Sequence, residues 1–175
     1  MYPFFRAGRV LAGGLRRHPM GTLTASALKM RVWPNDLDTN LHMNNGRYLT
    51  LMDLGRFDLM IKCGLLPAIV RQRWYPVAGG AMIRFNRPLH AFEKFTLASH
   101  ICGWDARWLY FRHDLVSADK LAATALVRGL FRCQGRSIPV AELLASIGYD
   151  GPAIDPPASA VNWSDADKLL LQTAP

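Results

Sequence analysis

From Ala27 to Trp33, Leu28, Met30 and Val32 alternate with Lys29, Arg31 and Trp33, which is the two-residue period of a half-buried strand. Residues 34–44 then turn polar, with Asn35, Asp36, Asp38, Asn40 and Asn44 in quick succession. From Asn45 the period lengthens. Tyr48, Leu51, Met52, Gly55, Leu59 and Cys63 recur at three- and four-residue steps, predicting a helix of about 18 residues that buries one broad face. Asp53, Arg56 and Lys62 fall mostly on its other side, Gly64 closes it and Pro67 opposes its continuation. Four more strand-like runs follow: Ala81–Phe85, ended by Pro88; Lys94–Cys102; Arg107–Val116; and Leu121–Cys133. Turns at Gly103-Trp104-Asp105 and Ser117–Lys120 make the last three a meander. Pro139 suits the first turn of a short helix, Val140–Ile147, stopped by Gly148. After the prolines at 152, 156 and 157, Ser164 with Asp167 marks a cap on a final helical segment, Asp165–Gln172.

Strand, long helix, then four antiparallel strands is an α+β order. One strongly curled sheet wrapped around one long central helix buries both apolar surfaces together. The expected division is a basic N-terminal arm at 1–24, one compact domain at 25–148 and a proline-containing extension with a short helix at 149–175. A chain of 175 residues, half of them hydrophobic, has enough core to need no staple. Three scattered cysteines, Cys63, Cys102 and Cys133, fit a reducing, cytoplasmic setting rather than a disulfide framework. The five histidines lack zinc-site spacing, so no metal and no cofactor is expected.

Charge changes the picture of the surface. The net charge is +8, and residues 1–35 hold six Arg and Lys before the first acid, at Asp36. Residues 65–92 also lack acids while carrying Arg71, Arg73, Arg84 and Arg87. Such a field favours a polyanionic partner, although much of it also serves as ordinary solubilising surface. In residues 1–21 the apolar runs are too short for a secretory or spanning segment, because Arg6, Arg9, Arg16 and Arg17 interrupt them. Two readings stay open there: peripheral contact with an anionic membrane, or a packing arm or disordered leader.

The informative stretch is Asp36-Leu37-Asp38-Thr39-Asn40-Leu41-His42-Met43-Asn44-Asn45-Gly46-Arg47-Tyr48. It places carboxylates and a histidine just ahead of a helix whose first amides are unpaired. Those amides and the helix dipole can hold a developing oxyanion. A carboxylate beside them can activate water or attack a carbonyl itself. Turn and cap duty is the plainer use of the same residue types.

This segment resembles the active-site motif of the hot-dog thioesterases, D-x-D-x-x-x-H-x-N-N-x-x-Y, within the 4-hydroxybenzoyl-CoA thioesterase-like superfamily. It is most like the member-six-like group, in which DLD, HMNN and RYL recur together. The resemblance spans about residues 27–147 and includes the Gly103-Trp104-Asp105 turn with its aromatic strand, Trp108–Phe111. It implies a hot-dog fold and hydrolysis of an acyl-CoA or acyl-carrier-protein thioester. The catalytic Asp of 4-hydroxybenzoyl-CoA thioesterases falls on Asp38. The Asp, Asn and His of the plant acyl-carrier-protein thioesterases fall on Asp38, Asn40 and His42.

Asp38 is then base or nucleophile. His42 polarises the carbonyl, orients Asp38, or is a loop histidine bonded to backbone, and Asn40 positions the acid or the water. Asn45 and Gly46 are the candidate oxyanion donors. Tyr48 belongs to core or site. Met52 or Phe57 would line the acyl chain, and Arg84, Arg87 and Arg71 would meet the pantetheine phosphate end. The resemblance also implies a homodimer or tetramer.

Two departures from the pattern stand out. Leu41 occupies the place where many relatives have Gly before the His. The further acid of the plant enzymes has no counterpart in 65–92, and Asp53 or Asp58 could replace it only by facing the site. The competing function is a non-catalytic or weakly active acyl-binding protein, at a membrane surface. A hot-dog hydratase is disfavoured because Asp38 and His42 are four apart where that motif needs five and a proline. There is no G-x-S-x-G for a serine hydrolase. Nucleic acid is not expected as a partner, since charge alone supports it.

Overall fold

The computed structural model describes residues 3–15 and 23–172. A six-stranded antiparallel sheet curls around a long helix. The strands are β1 (Ser26–Arg31), β2 (Tyr75–Phe85), β3 (Lys94–Trp104), β4 (Leu109–Ser117), β5 (Lys120–Cys133) and β6 (Arg136–Ile138). Their order is β1-β3-β4-β5-β2, with β6 pairing to β5 beside that path. The helices are α1 (Phe4–Leu15), α2 (Asn45–Lys62), α3 (Leu65–Gln72), α4 (Val140–Ala145) and α5 (Ala158–Gln172).

The central helix α2 runs as the period predicted, over 18 residues. Its first half packs with Leu97, Leu115 and Phe95, and its second half with Phe111, Val127 and Phe131. Gly55 marks the closest approach: a side chain there would collide with Ser99 Oγ and press on Leu97. One expectation fails. Lys62 is not on a solvent face but buried, because Asp58 and Ser26 are buried beside it, with Lys62 Nζ 2.7 Å and Ser26 Oγ 2.5 Å from Asp58 Oδ2.

Other boundaries move for identifiable reasons. Strand β2 begins at Tyr75 rather than Ala81, since an edge strand tolerates Pro76 and a bulge absorbs the Gly79-Gly80 pair. Helix α3 forms despite Pro67, which occupies its first turn, where no helical N–H is required. Helix α5 starts at Ala158, not Asp165, because the Pro157 carbonyl accepts the Ala160 and Val161 amides. Ser164 is therefore mid-helix and not a cap, and Asp167 instead pairs with Arg128 at 2.5 Å. Arg128 lies between the rings of Trp108 and Trp163, fastening α5 to the outer face of the sheet.

Within residues 1–24, Phe4–Leu15 form α1, which packs Ala7 and Val10 against the core around α2. Arg16, Arg17 and the rest of 16–22 lie outside the described residues.

Candidate active site

After β1 the chain makes a 3-10 turn, Pro34–Asp36, that buries the Asp36 carboxylate almost completely. Asp36 accepts from Arg6 at 2.5 Å, from Arg47 Nε at 3.1 Å and from the Trp33 amide at 2.9 Å. Its own carbonyl accepts the Asn44 amide. One acid thus ties together α1, the loop and the first turn of α2. A buried charge needs such pairing to be tolerated, and removal of either arginine would leave it with a single cationic partner.

Asp38 sits at the mouth of a tight loop. Its amide donates to the His42 carbonyl, its carbonyl accepts the Leu41 amide, and its Oδ1 accepts the Asn40 amide at 2.8 Å. Asn40 therefore acts on Asp38 through its main chain. The loop closes with Leu41 in the left-handed region, at φ 59°, the conformation for which glycine would be the ordinary choice. The second carboxylate oxygen of Asp38 lies 3.5 Å from His42 Nδ1, and the two side chains are 20% and 33% exposed. That pair is within ion-pair reach but longer than a good hydrogen bond. Behind them, His42 bridges His90, and the Met43 amide donates to the Leu89 carbonyl, fixing the loop on residues 89–90.

The helix start is two residues further on. Asn44 is its N-cap and accepts the Gly46 amide at 2.9 Å. The Gly46 donor is thereby engaged, while the Asn45 amide has no partner among the described residues. Asn44, Asn45 and Gly46 are all exposed.

The remaining sequence candidates divide. Tyr48 is buried one turn on, edge-to-face with Phe85 at 5.1 Å and bonded to the Leu89 backbone. Burial raises its phenol above the usual value, with the nearby Asp38 charge adding to the rise. Met52 is fully buried core. Phe57 instead lines a cavity of about 300 Å³ between α2 and the β2–β5 pair. Arg84 and Arg71 are exposed. Arg87 is already committed, donating to Glu93 at 2.8 Å and to the Ser117 and Pro88 carbonyls. Burial alone would raise Glu93, but hydrogen bonds from Arg87, Ser117 and the His90 amide hold it down at about 2.

The two helix acids face apart. Asp58 is sealed against Ser26 and Lys62, whereas Asp53 lines the 300 Å³ cavity, paired with Arg56. Burial raises the Asp53 carboxyl, with Arg56 opposing it. Arg56 also donates to His113 Nε2 at 3.2 Å, so the neutral ring carries its proton on Nδ1 and donates to Ser99 Oγ at 2.8 Å. Burial first, then the Arg56 and His100 charges, push His113 down to about 3. Sequence reasoning missed this buried relay, as it missed the Asp36 hub. The partners come from separate elements, and only the register Ser99–His113 across β3 and β4 brings them together. Asp38 lines neither the 300 Å³ cavity nor the larger groove beside α1.

A family model described as the thioesterase-like superfamily matches residues 32–158. The chain is 35% identical to protein THEM6 of Xenopus laevis over 86 residues, covering 49% of this chain and 42% of that protein. It is 37% identical to protein THEM6 of Danio rerio over 87 residues, covering 50% and 43%. The chain thus spans less than half the length of these curated relatives. Among solved structures, a mutant of 4-hydroxybenzoyl-CoA thioesterase complexed with 4-hydroxybenzoyl-CoA superposes with TM-score 0.63 at 16% identity, over 71% of this chain and 99% of that one. The likeness shows a shared fold, the hot-dog fold that the motif implied.

Proposed function

The chain belongs to the thioesterase-like superfamily, and on that premise we propose that it hydrolyses an acyl thioester of CoA or of acyl-carrier protein through Asp38. The observation that carries this reading is the pairing of a partly accessible carboxylate with the start of α2. One Asp38 oxygen is held by the Asn40 amide and the other is turned to His42, two residues before the N-cap. A thioester carbonyl placed over the Asn45 amide would meet the positive end of the 18-residue helix. Asp38 takes a proton from water as the water oxygen bonds to the carbonyl carbon. The resulting oxyanion is held by the Asn45 amide and the helix dipole. On collapse the C–S bond breaks, and the sulfur leaves as thiolate or accepts the proton from Asp38. Direct attack by Asp38 would give a mixed anhydride that water then opens, with the same net products. In either route His42, 3.5 Å from Asp38, would orient it or polarise the carbonyl.

The test is thiol release from a panel of acyl-CoAs, acetyl to palmitoyl and aromatic, with an acyl-CoA-free blank for the three free cysteines. Asp38→Asn is expected to lose about a hundredfold or more in turnover, the scale of a removed general base. Asp38→Asn as active as wild type would sink the mechanism.

Two observations favour a second reading, acyl binding with little turnover: Asp38 borders neither cavity, and Arg87 is engaged elsewhere. Saturable acyl-CoA binding without thiol release would establish it.

A further inference from the structure

Helix α1 is amphipathic, and it is turned the unexpected way. Arg6 points inward to the buried Asp36, and Ala7 and Val10 join the core. Phe4 and Phe5 stand outward at 74% and 81% exposure, with Leu11 and Ala12 also exposed. A helix stabilised only by its own protein would present these faces in reverse. Next to it, Trp33 and Phe92 form an edge-to-face pair and are about half exposed. Phe92 is held at φ 62°, which a bulky residue seldom adopts. Phe5 and Trp33 share the lining of one open groove of about 900 Å³ with Arg9, Lys29, Arg31 and Lys94. None of these four bases makes an ion pair among the described residues. Among the described residues the acids lining the groove are Asp58, already bonded to Lys62, and Asp119.

From this arrangement we infer that the α1 face is a docking surface for an anionic lipid bilayer. Apolar side chains on a surface helix, flanked by an aromatic pair and by unpaired bases, meet the two demands of that interface: acyl-chain contact and phosphate contact. A second copy of the chain is disfavoured as occupant, because each copy would bring the same unpaired bases to the contact. Among the described residues no helix is long and apolar enough to cross a bilayer, so α1 lies on the surface. The inference is independent of the chemistry at Asp38. It would bring the protein to the phase in which long-chain acyl groups reside.

The experiment is co-sedimentation of the full chain with vesicles of phosphatidylcholine, alone or with about one-third phosphatidylglycerol. Binding is expected only to the anionic vesicles and is expected to weaken sharply between about 0.1 and 0.5 M salt. The double variant Phe5→Ser/Leu11→Ser should lose about tenfold or more in vesicle affinity. Lys29→Glu/Lys94→Glu should lose about fivefold or more per charge. Both should keep the wild-type melting temperature and the wild-type thiol release on a short-chain acyl-CoA. As a reporter independent of those variants, Leu11→Trp should shift its emission to the blue on adding anionic vesicles. The proposal is overturned by no binding to anionic vesicles, by equal binding to neutral ones, or by undiminished binding of Phe5→Ser/Leu11→Ser. It is equally overturned if that variant instead abolishes self-association, or if an acidic carrier protein binds this face and vesicles do not.

Discussion

Leu41 bears the strain of presenting Asp38. Its φ of 59° closes the loop that hands the Leu41 amide to the Asp38 carbonyl. A left-handed backbone costs a non-glycine residue about 1–2 kcal/mol, and β-branching makes it worse. Leu41 is exposed, so substitutions there report the backbone with little repacking. Stability by urea denaturation should therefore rank Gly at or above Leu, and Leu above Val by about 1 kcal/mol. Val equal to Gly would mean that the loop relaxes freely. His113 supplies the second expectation at this scale. Its folded pKa of about 3 lies below the ordinary 6.5, so the unfolded chain binds more protons between those values. Stability should be full above pH 6.5 and fall as pH drops from 6.5 towards 3. His113→Gln, though less stable at neutral pH, should lose that part of the slope. An unchanged slope would place the titration elsewhere. Leu41 could be flagged from the sequence because one loop residue broke a glycine pattern. His113 and Asp36 could not, since their partners Arg56 and Arg6 are 57 and 30 residues away.

At the scale of elements, period was a good guide wherever an element has one wet and one dry face. The alternation in β3 and the three-four spacing of α2 follow directly from facing a single core. Where a segment answers to two neighbours the signal blurs. The opening of β2 pairs to β5 through Pro76 and a Gly-Gly bulge, and reads as a turn. Helix α3 hides behind a proline that its first turn accommodates. Gly55, by contrast, was read only as one apolar step of α2, and its meaning emerges from packing: it is the notch that receives Ser99 and Leu97. Gly55→Ala would gain helix propensity of about 1 kcal/mol but force α2 off the sheet. Overpacking should win, lowering the melting temperature and loosening the Arg56–His113–Ser99 relay anchored on both elements. A higher melting temperature for Gly55→Ala would show that the contact has slack.

At the scale of the molecule, the sheet ends on one side in β2. This terminal strand is eleven residues long and mostly exposed, touched by Tyr48 of α2 at Phe85 and by Trp163 of α5 at Gly80. Among the described residues no other strand pairs with its outer edge, a state that natural proteins normally cover or pair. The α2–β2 cavity beside it carries Asp53 and Phe57, both partly accessible. Antiparallel pairing of two β2 edges would close both exposures at once and wall the thioester in. A two-fold dimer is accordingly expected, sedimenting at twice the 19.6 kDa chain mass. Because α1 lies at the β1 end of the sheet and β2 at the other, Phe5→Ser/Leu11→Ser should leave that mass unchanged. Met82→Lys, on the exposed stretch of β2, should shift the equilibrium towards monomer and reduce thiol release in proportion. A wild-type monomer with full activity would refute the pairing and require the single chain to bind its acyl group unaided.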